Sequence, residues 1–399
     1  MELSDLILSR SKPGSETLPD LLSAIRRHLG LDVAFISEFV DGKRVFRHVD
    51  PATPDNPVQV GAGDPLEESY CQRIVDGRLP GLIPDARKNP EAASLPVTHA
   101  VPVGAHLGVP VRLADGSIYG TFCCFSRKPD ESLRERDLNM LHVFADVAAK
   151  LIEWERAAAL RNRQIEKRIR SVLDGNSLSI MYQPIYDTSS RTVTGFEALS
   201  RFSDGPARSP DIWFGEANAV GLGEQLEEKA IALALEGLPH LPQNAYLSIN
   251  ISPEHVLNGS PERLLAKVPL ERIVLELTEH VAVAHYQELL ARLRPMRDRG
   301  MRIAVDDAGA GFASFRHILH LAPDRIKLDM SITRNIDNDR SRRALAAALI
   351  RFSEETGSRI VAEGVETQAE LEALQRLGVV DIQGYLLGRA LSLRDAAVL

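Results

Sequence analysis

Acidic residues recur late in apolar, β-rich runs throughout the second half of this 399-residue chain. They are Glu197 in GFEAL, Glu276 in VLEL, Asp306 and Asp307 in AVDD, Asp329 in IKLD and Glu363 in VAEG. Asn250 in LSIN, Lys327 in IKLD and Gln383 in DIQG occupy like positions. One acid at a strand end usually caps a helix or pairs with a basic side chain. A succession of them asks for another account, because each buried carboxylate is costly unless paired or ligated. Brought together they would repel, and Lys327 alone would not neutralise them. Hard divalent cations with oxygen ligands, Mg²⁺ or Mn²⁺, would do so. Several carboxylates plus an amide oxygen can hold two such ions roughly 3.5–4 Å apart, which suits in-line attack of an activated water on phosphorus. The chemistry these residues point to is metal-assisted hydrolysis of a phosphodiester.

Such a set needs a scaffold that gathers distant residues. Eight short β-rich runs alternate with mostly helical stretches after residue 176: SIMYQPIYD, VTGFEALSRF, YLSINIS, IVLELTE, RIAVDDA, DRIKLD, RIVAEGVE and DIQGYLLG. This order fits a (β/α)8 barrel of the TIM type, whose strands converge at their C-terminal ends on one catalytic face. A doubly wound open sheet is disfavoured, since no G-x-G-x-x-G follows the first run.

The run Glu197-Ala198-Leu199-Ser200-Arg201 resembles the E-A-L-x-R signature of the EAL phosphodiesterases, which act on cyclic di-GMP. The resemblance covers about 176–393. It includes Gln183-Pro184, LSINISP, ELTE, Asp306-Asp307-Ala308-Gly309-Ala310-Gly311, DRIKLD, VAEGVET and QGYLLG. It implies metal ligation by Glu197, Asn250, Glu276, Asp306 and Asp307, with Asp329 and Glu363 completing the acidic site. It assigns Lys327 to the attacking water or the phosphate charge, and Gln183, Leu199, Arg201 and Gln383 to substrate. Glu279 and Glu366 become supporting acids. It also implies a modified barrel, hydrolysis to pGpG, two Mg²⁺ or Mn²⁺ ions per site and a homodimer. Family members that bind cyclic di-GMP without cleaving it usually lack an acid or the lysine. Here all these positions are filled, so hydrolysis is expected and a non-hydrolysing receptor is the alternative. One departure is Ala308, where the loop after the fifth strand usually carries phenylalanine.

Residues 1–130 read as a small α+β domain. ETLPDLLSAIRRHLG has a helical apolar face, and two strand pairs flank turns at Asp41-Gly42 and Asp115-Gly116, with helices expected on one side of the sheet. The pattern resembles a GAF sensor domain, which leaves its ligand, if any, unspecified. Cys71 invites a tetrapyrrole or redox reading, although a small buried thiol is the commoner fate. His99 and His106 flank a loop near a plausible pocket. Residues 131–173 contain no Gly or Pro and space Leu138, Leu141, Ala145, Ala148, Ile152, Ile165, Ile169 and Val172 by threes and fours. They predict a long helix that joins the first domain to the barrel at 174–399, with spacing that would permit coiled-coil pairing. The net charge of −8 disfavours DNA binding. No stretch reaches the ~18 apolar residues of a membrane span, no secretory signal opens the chain, and the odd set of three cysteines implies no disulfide framework. A cytoplasmic protein without membrane insertion is expected.

Overall fold

The computed structural model describes residues 17–203, 208–277, 286–308 and 318–399, the side chain of Asp307 excepted. Glu279 and the loop from Gly309 onward therefore lie outside the described residues. The chain divides into two compact units, Met1–Arg161 and Asn162–Leu399.

In the first unit, Thr17 and Asp20 form a capping box at the start of helix Leu18–Leu29, and Gly30 ends it in the left-handed conformation. Six strands follow: β1 (Val33–Val40), β2 (Lys43–Asp50), β3 (Gly63–Pro65), β4 (Leu82–Ile83), β5 (Ala105–Arg112) and β6 (Ile118–Ser126). They form one antiparallel sheet in the order β3-β2-β1-β6-β5-β4. Asp41 and Gly42 both take positive φ, as a tight two-residue hairpin demands. Period-two alternation sends Ala34, Ile36, Leu107, Val109 and Cys124 to one face, against helix Leu18–Leu29 and Leu141, Phe144, Ala148 and Ile152 of the long helix. It sends Val33, Phe35, Cys123 and Phe125 to the other face, against Tyr70, Cys71, Leu79, Ala92 and Leu95. Both faces are therefore covered, not one as the sequence pattern suggested. Segment 66–103 supplies the second cover through turns and helices too short to show a periodicity of their own.

The long helix spans Glu135–Asp174, and the division between the units falls within it. Residues 154–164 are exposed, which matches the polar run ERAAALRNRQ. Further on, Ile165, Ile169 and Val172 pack with Trp213, Leu222 and Leu226 in the second unit.

The second unit is a closed barrel of β7 (Leu178–Asp187), β8 (Thr192–Phe202), β9 (Tyr246–Ile251), β10 (Ile273–Leu277), β11 (Arg302–Ala308), β12 (Arg325–Leu328), β13 (Arg359–Ala362) and β14 (Asp381–Ile382). It departs from a regular (β/α)8 barrel at its first strand, which is antiparallel to both neighbours, β8 and β14. A tight turn rather than a helix joins β7 to β8: Asp187 accepts hydrogen bonds from the Ser189 and Ser190 amides, and Arg191 takes a positive φ. The last two β-rich runs are shorter strands than their sequence suggests. Glu363 and Gln383 each lie just beyond a strand end.

Candidate active site

Alternation along the strands builds the barrel interior in layers. Ile185, Tyr246, Val274, Ala304 and Val361 form a packed apolar layer. Two residues further toward the C-terminal ends, the same face carries Ser248 on β9, Glu276 on β10, Asp306 on β11, and Glu363 beyond β13. Gly195 lies two residues before Glu197 on β8. A Cβ at Gly195 would lie 2.4 Å from the Tyr246 ring, so only glycine admits that ring to the interior.

Lys327, from β12, stands at the centre of the upper layer and is 2% exposed. Its Nζ lies 2.8 Å from Glu276 Oε2, 3.0 Å from Asp306 Oδ1, 2.6 Å from Glu363 Oε1 and 3.4 Å from Glu197 Oε1. The Glu276 contact is a formed hydrogen bond. Glu363 Oε1 is closer still, as an ion pair. Burial opposes the ammonium charge, but the surrounding carboxylates of Asp306, Glu197, Glu276 and Glu363 raise its pKa well above the ordinary lysine value. Burial pushes Glu276 up to about 8, with Lys327 opposing and the other acids assisting. The same causes hold Glu363 well above the usual carboxylate range.

Amide side chains complete the ring. Gln383 is buried and donates from Nε2 to Glu197 Oε2 at 2.6 Å, while Asn250 donates to Glu197 Oε1 at 3.3 Å. Gln183 faces Glu197 across the β7–β8 ladder and donates to the Gly388 carbonyl at 3.4 Å. Beside Glu197, Asn250 and Asp306 opens a cavity of about 500 Å³, whose wall includes Leu199 and an exposed Arg201. The structure thus gathers ten of the expected residues: Glu197, Asn250, Glu276, Asp306, Lys327, Glu363, Gln183, Gln383, Leu199 and Arg201.

Others stand apart. Asp329 caps the helix Met330–Thr333, accepting from the Ser331 amide at 2.9 Å, and is not among the ion contacts of Lys327. Glu366 is exposed and paired with Arg334. Glu279 and the Asp307 side chain lie outside the described residues. Two contributors escaped the sequence reading. Ser248 donates to Glu276 Oε1, and alternation from Asn250 along LSIN was the signal that could have found it. Glu227 borders the cavity, accepts from the Ser252 amide and hydroxyl, and meets His255 Nδ1 at 2.7 Å. It lies on a helix, so no strand pattern flags it.

Can these residues hold metal ions? Among the described residues, no group of three or more His, Cys, Asp or Glu forms a ready metal cage, because the carboxylates converge on the ammonium. The donor set nevertheless fits hard cations. Four carboxylates against one ammonium leave three formal negative charges in excess. Gln383 Oε1 is a buried acceptor with no hydrogen-bond partner among the described residues. Oxygen-rich, acid-excess sites of this kind suit Mg²⁺ or Mn²⁺.

The first unit holds a smaller cavity of about 100 Å³, walled by Phe35, Phe46, Phe125, Tyr70, Arg44 and His106 among others. His106 is buried, and burial together with Arg44 pushes its pKa down to about 3. Its Nδ1 has no hydrogen-bond partner among the described residues. His99 is exposed and meets the Ala93 carbonyl.

Comparison with known proteins agrees with both units. A family model for the EAL domain matches residues 166–390, and one for the GAF domain matches residues 14–152. The probable cyclic di-GMP phosphodiesterase PdeD of Escherichia coli is 28% identical over 265 residues, covering 64% of this chain and 49% of PdeD. Among solved structures, the PaMucR phosphodiesterase in complex with c-di-GMP is 27% identical at a TM-score of 0.53, covering 58% of this chain and 99% of that one. An EAL enzyme solved with cAMP and cyclic di-GMP bound shares the fold over 92% of this chain and 93% of its own, at a TM-score of 0.57 and 18% identity. The chain spans between about a third and a half of the length of the curated relatives it matches.

Proposed function

Since the chain belongs to the EAL family, we propose that its barrel hydrolyses cyclic di-GMP to linear pGpG in the cytoplasm, with Mg²⁺ or Mn²⁺, two ions per site. One observation carries the reading: a buried lysine ringed by four carboxylates beside a cavity of about 500 Å³. That volume suits a small-molecule ligand. No helix among the described residues is long and apolar enough to cross a membrane.

Glu197, Asn250, Glu276, Asp306 and Asp307 would hold the ions. When bound, they supply a water of lowered pKa and neutralise phosphate charge. The remaining roles belong to the chain. Arg201, at the cavity wall, grips a substrate phosphate through its guanidinium fork. Leu199 gives an apolar contact beside it, and Gln183 and Gln383 complete the polar wall. Lys327 holds a fixed positive charge where negative charge develops as water attacks phosphorus and the bond to the 3′ oxygen breaks. Glu363, 2.6 Å from Lys327 Nζ, completes the acidic site around that charge. Asp329, Glu279 and Glu366 support the loops around the site.

The GAF unit regulates this activity through the helix Glu135–Asp174, which carries packed apolar residues in each unit, and the working form is a homodimer. A chain beginning at Asn162 tests the regulation, because Ile165, Ile169 and Val172 belong with the barrel. Identical dimerisation and turnover in the short and full chains would sink it. The activity itself is tested by incubating purified protein with cyclic di-GMP and Mg²⁺ or Mn²⁺. Appearance of pGpG supports hydrolysis, and tight binding without product points to a receptor instead.

A further inference from the structure

Beneath the small cavity of the first unit lies a cluster that phosphodiester chemistry does not use. Cys71 and Cys123 come from different elements, helix Tyr70–Val75 and strand β6, yet their sulfurs lie 3.9 Å apart. Both are fully buried. Arg44, 4% exposed, donates from Nη1 to Cys71 Sγ at 3.3 Å, and the Ser37 hydroxyl lies 3.8 Å from the same sulfur. Three donors, a guanidinium, a hydroxyl and a second thiol, thus converge on one sulfur. A neutral thiol accepts hydrogen bonds only weakly, whereas a thiolate rewards all three.

The two cysteines are unlike. Burial disfavours a Cys71 thiolate, but the bond from Cys123 and the charge of Arg44 outweigh it and hold the pKa well below the ordinary thiol value. Cys123 is raised well above that value by burial and by its neighbour Cys71. Thr121 Oγ1, 3.4 Å away, is the alternative acceptor for the single Cys123 S–H proton. The pair therefore offers one nucleophilic sulfur and one protonated thiol. Cys124 packs on the opposite face of the sheet. Arg44 and Tyr70, which flank Cys71, also line the cavity of about 100 Å³. That space admits molecules of the size of water or hydrogen peroxide.

We propose that Cys71 is a peroxide-reactive thiol and that Cys123 resolves its oxidised form. In the first step the Cys71 thiolate attacks one peroxide oxygen. An S–O bond forms, the O–O bond breaks, and the departing hydroxide takes a proton and leaves as water; sulfur is oxidised to sulfenic acid and peroxide is reduced. In the second step Cys123 sulfur attacks Cys71 sulfur. The S–S bond forms, the S–O bond breaks, and the Cys123 proton leaves with the hydroxyl as a second water. The sulfurs must close from 3.9 Å to roughly 2.05 Å.

The test uses the full chain, treated with hydrogen peroxide under native conditions and mapped by mass spectrometry. A dithiothreitol-reversible Cys71–Cys123 peptide, two hydrogens lighter than the pair, is expected in the wild type and in Cys124→Ser. It should be absent from Cys71→Ser. In Cys123→Ser the sulfenic acid has no resolving thiol, so dimedone should label Cys71. These single-atom exchanges leave packing volume almost unchanged. Wild-type Cys71 that stays a free thiol, a crosslink through Cys124, or no dimedone adduct in Cys123→Ser would each overturn the proposal.

Discussion

Replacing Lys327 by Met removes the only cation that contacts all four carboxylates among the described residues, while keeping most of the side-chain volume. The contacts run from 2.6 to 3.4 Å. At an effective dielectric constant of about 20, each near 3 Å is worth about 5 kcal/mol before desolvation is subtracted. Desolvating the ammonium consumes much of that sum. What remains when one partner of a buried charge group is removed is typically about 3–5 kcal/mol. For a domain of this size that loss lowers the Tm by roughly 6–20 °C. The expected result in EDTA is a fall in that range, followed by circular dichroism. Millimolar Mg²⁺ or Mn²⁺ should recover part of it, because ions bound only by the folded site add stability by mass action. Turnover of cyclic di-GMP should drop at least about 100-fold, as when a charge-stabilising donor is lost from other sites. A Tm shift under about 2 °C would refute the view that the ammonium holds the carboxylates together. Near-native turnover in the variant would refute its catalytic assignment.

Three further outcomes follow from particular contacts. Gly195→Ala places a Cβ 2.4 Å from the Tyr246 ring, so overpacking should cost about 1–3 kcal/mol in urea unfolding; unchanged stability would mean the ring can leave the interior freely. His255 is depressed by burial but raised more strongly by the hydrogen bond and charge of Glu227, so its folded pKa lies above 6.5. Its contribution is then full below pH 6.5 and is lost as pH rises through the folded value, and His255→Gln should flatten that part of the stability–pH curve; an unchanged slope would place the titration elsewhere. Arg325→Met strands the 1% exposed Asp381 carboxylate, at a cost toward the lower end of about 3–5 kcal/mol, since Arg359 also reaches it at 3.4 Å. Turnover per folded molecule should hold, and a selective loss of turnover would show that this pair belongs to the site.

Strand patterns told most about the site because a barrel turns sequence position into height. Glu276 in VLEL and Asp306 in AVDD reach the same layer through strands that also hydrogen-bond to each other, Glu276 opposite Ala304. Asp329 was less legible. It stands two residues after the inward-facing Lys327, so alternation would send it to the same face, but the strand ends at Leu328 and Asp329 turns to cap a helix. The antiparallel β7 was hidden because a tight turn and a β/α loop leave the same apolar runs behind. In the first unit, neighbouring Cys123 and Cys124 face opposite sides of one strand, a split that alternation predicts. The proximity of Cys71 to Cys123 was not readable, since 52 residues separate them and only the docking of a six-residue helix on the sheet brings them together.

The barrel offers a comparison that separates structural from functional charge. On β12, Arg325 and Lys327 are two residues apart and both face inward; beyond and on β14, Asp381 and Gln383 repeat the pattern. In the lower position Arg325 meets Asp381 at 2.8 Å and stacks 4.2 Å from the centre of the Tyr246 ring. One cation faces one anion, and Arg359 lies nearby at the exposed end. In the upper position one cation faces four anions, and burial drives two of them, Glu276 and Glu363, toward their protonated forms. A ring kept for packing would be as stable or more so with apolar residues in place of the extra acids. A fold able to balance its charges at one level and leaving them unbalanced two residues higher holds that upper ring for something it binds. The excess negative charge, the Gln383 oxygen without a partner among the described residues and the adjoining cavity suit cations with an anionic ligand, as the proposed metal-assisted hydrolysis needs.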